Sequence, residues 1–345
     1  MTNYTKELEA TASLLATPGK GILAADESTP TITKRFQALH IDATEESRRK
    51  YRDMLMSAPN IEQYIAGVIL YEETLFQNAL CGIPFPALLN ELGILPGIKV
   101  DKGLIPLAHT EDEQVTQGLD GLPERLAQYK EQGARFAKWR AVYRISDNTP
   151  STLALKTNAE VLARYAAICQ TEGIVPIVEP EVLLEGDHTI ARCEEVTEAV
   201  LVAVFKALHR HHVALEHIVL KPSMVINGKA CPEKARVEEV AMKTVRVLRQ
   251  TVPATTRTIN FLSGGQTAEE ASAHLNAMNQ LGFKIWPLSF SYARALQEPA
   301  MKVWAGSDNN IRAAQMIFVK RAQLNSLASL GQYNKTMETE KAVLV

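Results

Sequence analysis

His217-Ile218-Val219-Leu220-Lys221-Pro222-Ser223-Met224 is an apolar, β-branched run that ends in one lysine followed by a proline. Such a run reads as a buried strand, and Pro222 stops it. An ammonium is costly to bury, and only the neutral amine attacks a carbonyl. Lys221 is therefore a candidate Schiff-base nucleophile. The plain alternative is a lysine whose stem lies along the strand end while its charge stays in water.

Outward from this run, short apolar stretches recur about every 40 residues with helical patterns between them. The expected strands are 21–26, 65–72, 97–101, 135–140, 174–181, 218–224, 258–265 and 284–292. Helices are expected over 44–58, 158–170, 187–209 and 313–330. Thr44 with Glu45 and Glu46 is good N-terminal helix chemistry. Thr267 and Glu270 form a capping-box pattern after Gly264-Gly265. Alternating strand and helix means a parallel sheet. Eight repeats favour one closed (β/α)8 TIM barrel of the α/β class over an open sheet. The doubly wound sheet is the alternative, but its G-x-G-x-x-G turn is absent. Residues 1–345 thus read as one domain: a barrel over about 18–330, an N-terminal extension, and a tail over about 331–345.

The 345 residues carry a net charge of −2, with 46% hydrophobic and 22% charged residues. That balance suits a soluble protein with a sizeable core and recruits neither nucleic acid nor an acidic membrane. Cys81, Cys169, Cys193 and Cys231 are far apart, without metal-ligand spacing, and read as reduced thiols of a cytoplasmic protein. Met1 to Ala12 is too polar for a signal peptide, and no apolar run approaches membrane-spanning length.

In a barrel the chemistry lies at the C-terminal ends of the strands. Those ends deliver Asp26, Glu72, Lys99, Lys138, Glu179 with Glu181, Lys221 and Ser263. Each alone is an ordinary rim charge or hydroxyl. Together they form a coupled ring, in which lysines share protons with Glu179 and Asp26.

Phosphate signals flank the ring. Phe261-Leu262-Ser263-Gly264-Gly265-Gln266 leaves the seventh strand through two glycines into a capped helix, where backbone N–H groups favour an anion. Ser289-Phe290-Ser291-Tyr292-Ala293-Arg294 follows the eighth strand and brings the forked donors of Arg294 nearby. Ser28, Lys34 and Arg35 follow the first strand, and Lys34-Arg35 equally suits a solvated helix face. Two anion sites around one lysine suggest a substrate phosphorylated at both ends.

These stretches carry a resemblance. Pro18-Gly19-Lys20-Gly21-Ile22-Leu23-Ala24-Ala25-Asp26-Glu27-Ser28-Thr29 resembles the first barrel strand of class I fructose-bisphosphate aldolases. Phe136-Ala137-Lys138-Trp139-Arg140, Val175-Pro176-Ile177-Val178-Glu179-Pro180-Glu181 and Leu220-Lys221-Pro222-Ser223-Met224 are similar to further signatures of that family. So are Phe261-Leu262-Ser263-Gly264-Gly265 and Phe290-Ser291-Tyr292-Ala293-Arg294-Ala295-Leu296-Gln297. The resemblance runs from about Pro18 to Tyr333.

The resemblance implies reversible aldol cleavage of fructose 1,6-bisphosphate to dihydroxyacetone phosphate and glyceraldehyde 3-phosphate. It implies a cytoplasmic homotetramer with no metal and no cofactor beyond the covalent substrate adduct. Lys221 would form the Schiff base, and Glu179 would dehydrate the carbinolamine. Asp26 would take the C4-hydroxyl proton, and Lys138 would assist carbinolamine formation. Glu181 and Lys99 would complete the charged network. Ser263, Gly264, Gly265 and Arg294 match the C1-phosphate site, Ser28, Thr31, Lys99 and Arg140 match positions near the C6 phosphate, and Ser291 is counted among the substrate-binding residues. The chain departs from many members at Pro30, Thr31 and Ala293, and it ends Lys341-Ala342-Val343-Leu344-Val345 without the family's usual terminal tyrosine. Another Schiff-base barrel, such as a transaldolase, is the competing enzyme reading. A non-catalytic scaffold on the same fold is the other.

Overall fold

The computed structural model of the protein describes residues 4–282 and 285–339. Among these, eight parallel strands close into a barrel. They are β1 (Gly21–Ala25), β2 (Ile65–Leu70), β3 (Leu95–Lys99), β4 (Phe136–Tyr143), β5 (Val175–Val182), β6 (Val219–Leu220), β7 (Thr258–Phe261) and β8 (Leu288–Tyr292). Each pairs with the next in sequence, and β1 closes the ring on β8 with Ile22 opposite Ser291. All eight fall within the expected runs or overlap them. The expected start of the last strand at Lys284, and the tail Lys341–Val345, lie outside the described residues.

The period-two alternation of a strand divides the barrel into two apolar layers. Leu23, Val68, Ile98, Trp139, Val178 and Leu220 join the layer that packs against the helices. Trp139 stacks on Tyr165 of the helix Thr152–Thr171, with ring centroids 5.4 Å apart. Ile22, Ala24, Ile69, Phe136, Val175, Ile177 and Val219 form the other layer, with Leu95 against it. That inner layer also contains Leu8, Ala12 and Leu15 of a helix, Thr5–Leu15, which seals the barrel floor. The short strand β3 makes room for a large neighbour: a Cβ on Gly97 would lie 2.3 Å from the Phe136 ring.

Helix starts follow the expected capping chemistry. Thr44, Ser151, Thr189 and Thr267 each accept a backbone N–H in the first turn. Thr267 and Glu270 form the reciprocal capping box at the head of Ala268–Gln280. A small antiparallel ribbon, Leu104–Pro106 with Gln114–Thr116, lies between β3 and β4.

Candidate active site

The inner files of β1, β4, β5 and β6 change from apolar to charged as they approach the C-terminal mouth. On β1 it runs Ile22, Ala24, then Asp26. On β4 it runs Phe136, Lys138, Arg140, and on β5 Val175, Ile177, Glu179, Glu181. On β6 it runs Val219, then Lys221. The barrel register brings these ends side by side: Lys99 lies opposite Lys138, and Arg140 opposite Glu179. Lys221 stands one step past the Val178–Leu220 pair, and its N–H still donates to the Val178 carbonyl at 2.8 Å. Pro222 offers no N–H to continue that ladder, so the strand ends there.

A chain of charges results. Lys221 Nζ is 3.3 Å from Glu179 Oε1, Lys138 Nζ is 3.2 Å from Glu179 Oε2, and Lys138 Nζ is 2.7 Å from Asp26 Oδ2. The Lys221 side chain is only 4% exposed. Burial opposes the Asp26 anion, but Lys138 and Lys221 outweigh it and bring its pKa down to about 2. Burial likewise opposes the Lys138 cation, yet Asp26 and Glu179 raise its pKa above the ordinary lysine range. Arg140 is raised in the same way by its ion pair with Glu181. Lys99 is held 2.6 Å from Asp101 Oδ1.

These groups line one cavity of about 810 Å³. Ser28, Thr31, Lys34, Arg35, Ser263, Gly264, Ser291 and Arg294 line it too, with Asp26, Lys99, Lys138, Arg140, Glu179, Glu181 and Lys221. Gly265 borders it beside Arg294. Gly264 and Gly265 have φ of 55° and 87°, left-handed values that glycine adopts without a Cβ penalty. Ser28 Oγ lies 3.0 Å from Thr31 Oγ1 at the head of the helix Thr29–Gln37. Ser291 Oγ is buried without a hydrogen-bond partner among the described residues.

Glu72, read from the sequence as part of the ring, is not in it. β2 ends at Leu70, and Glu72 opens the short helix Glu72–Leu75. Its carboxylate accepts from Tyr129 at 2.6 Å and from Lys102 at 3.1 Å. Two charged cavity residues were not singled out in the sequence. Glu27 is buried and 2.6 Å from Arg35, and Glu185 follows β5. Glu27 adjoins Asp26 but points away from its file; Glu185 sits in a loop, where no periodicity marks it.

A model of the glycolytic class-I fructose-bisphosphate aldolase family matches residues 7–344. Fructose-bisphosphate aldolase C of Mus musculus is 56% identical over 330 residues, covering 95% of this chain and 91% of the mouse protein. The fructose-bisphosphate aldolase of Dictyostelium discoideum is 53% identical over 342 residues, covering 98% of this chain and 96% of its own. A Plasmodium falciparum fructose-bisphosphate aldolase, solved with TRAP and a small-molecule inhibitor, superposes with a TM-score of 0.95. It is 48% identical, and the match covers 97% of each chain. Fold, sequence and cavity agree: the chain belongs to the class-I fructose-bisphosphate aldolase family.

Proposed function

We propose that this aldolase cleaves fructose 1,6-bisphosphate through a Schiff base on Lys221. The observation that carries the assignment is the unbroken series Lys221–Glu179–Lys138–Asp26, with gaps of 3.3, 3.2 and 2.7 Å.

The Lys221 amine adds to the C2 carbonyl, giving a carbinolamine. Glu179, between Lys221 and Lys138, is placed to carry a proton to the departing hydroxyl, and loss of water leaves the iminium. Asp26 takes the C4-hydroxyl proton as the C3–C4 bond breaks. The bond's electrons pass from C3 into the iminium as an enamine, and glyceraldehyde 3-phosphate is released. Protonation at C3 and hydrolysis then free dihydroxyacetone phosphate and restore the lysine. A carboxylate held near 2 keeps a proton only briefly, which suits a step where O–H and C–C electrons move together. The protonated imine is the electron sink, so no metal is required for this route.

Ser263, Gly264, Gly265, Ser291 and Arg294 would take the C1 phosphate. Ser28, Thr31, Lys34, Arg35, Lys99 and Arg140 would serve the opposite end of the substrate. We assign the chain to one barrel domain, a homotetramer and the cytoplasm. The two apolar layers being two faces of one barrel supports the first. The homotetramer is what membership of the family implies. Four free thiols support a reducing compartment. No helix among the described residues is long and apolar enough to cross a membrane.

Borohydride reduction in the presence of dihydroxyacetone phosphate tests the assignment. A stable adduct on Lys221, found by peptide mass spectrometry, is expected. An adduct elsewhere, or none, overturns it.

A further inference from the structure

Two cations crowd the double-glycine turn. A Cβ on Gly265 would lie 2.8 Å from Lys229 Nζ and 3.4 Å from Arg294 Nη2. Arg294 forms no ion pair among the described residues. The ion partner of Lys229 is Glu185, at 3.7 Å, with both side chains about half exposed to water. Such a long, solvated pair is weak. Like charges do not converge without cost unless an anion comes between them. Ser291, whose hydroxyl is buried without a hydrogen-bond partner among the described residues, lines the cavity together with Arg294 and Glu185.

Lys229 is aimed by its backbone. The loop after β6 is stitched to the loop after β5. Gly228 N–H donates to His188, Lys229 N–H to Leu184 and Ala230 N–H to Gly186, at 2.8, 2.9 and 2.9 Å. Lys234 Nζ donates to the Lys229 carbonyl at 2.7 Å and locks the loop from the other side. The loops approach closely: a Cβ on Gly228 would stand 2.3 Å from the Gly186 carbonyl oxygen. Glu185 belongs to one loop and Lys229 to the other, so the pair spans the seam at the mouth.

We propose that Lys229 is a further substrate-binding residue, which leaves Glu185 and closes with Arg294 on the phosphate monoester seated over Ser263–Gly265. The proposal rests on that turn being the C1-phosphate site. Glu185 is then a competitor for the lysine, an internal carboxylate that the substrate dianion displaces. A phosphate carries more charge and more acceptor oxygens than a carboxylate, so the exchange favours the bound state.

Fructose 1-phosphate, whose one phosphate is at C1, reads this site alone. Lys229→Gln is expected to raise its KM, and the inhibition constant of inorganic phosphate against it, about tenfold with kcat within about twofold. Lys229→Arg should restore most of the loss, and Glu185→Gln should lower KM. A merely structural lysine would move the thermal midpoint or kcat instead. Unchanged KM in Lys229→Gln, with borohydride trapping at Lys221 intact in the wild type, overturns this inference alone. Absence of that wild-type adduct overturns the Schiff-base reading and this inference with it.

Discussion

The Lys138 ammonium stands 2.7 Å from Asp26 and 3.2 Å from Glu179, so one buried cation serves two carboxylates. Removing it should separate their roles. In Lys138→Met, burial opposes the Asp26 anion with only Lys221 and Lys99 left against it. The Asp26 pKa should rise by roughly one to three units. The acid limb of kcat/KM against pH should move upward with it. A limb that stays in place would remove Lys138 from this role.

The same carboxylate links stability to pH. Its folded pKa of about 2 lies below the ordinary value of about 3.9. A depressed acid contributes stability that is fully present above the ordinary value and is lost as pH falls through the folded one. The window is therefore about pH 4 to 2, and the contribution is about 2–3 kcal/mol. Urea unfolding of wild type and Asp26→Asn should differ most near pH 5, and the gap should close as pH falls. A constant gap would contradict the shift.

Strand periodicity explains which parts of this site were legible in the sequence. Asp26, Lys138, Glu179 and Lys221 each continue an apolar file by two residues, so period two placed them on the inner wall. Glu72 failed because it continues the outward file of Val68 and Leu70, and because β2 stops at Leu70 and the chain turns into a helix. Lys229 and Glu185 lie in loops, and only the folded backbone relates them. The floor helix Thr5–Leu15 passed for a polar terminus because Leu8, Ala12 and Leu15 are diluted by charged neighbours.

Gly97→Val should overpack the barrel. Its new side chain would begin 2.3 Å from the Phe136 ring, between two strands that cannot part. A loss of about 1–3 kcal/mol or more is expected in chemical denaturation. Phe136→Leu in the same chain should recover part of it. Equal losses in the single and double variants would refute the steric account.

Tyr333 is fixed rather than free. Its hydroxyl donates to Glu338 at 2.9 Å, and Arg321 grips the same carboxylate. Tyr333→Phe should cost about 1 kcal/mol of stability and leave kcat unchanged. A selective fall in hydrogen exchange at C3 of dihydroxyacetone phosphate would instead make this phenol the proton carrier.

Turnover should survive prolonged treatment with a strong chelator, since on the proposed route an iminium on Lys221 receives the electrons released at C3. Activity lost to the chelator and restored by zinc would count against that route.

The helix that closes the barrel floor makes the reaction chamber a blind alley. Whatever enters past Arg35 and Arg294 must retreat by the same doorway. On the proposed Schiff-base route, cleavage leaves two fragments in one dead end, and only one of them is tethered to the wall. On that route the untethered aldehyde departs first, and the covalent bond to the wall, rather than the single doorway, sets the order of exit.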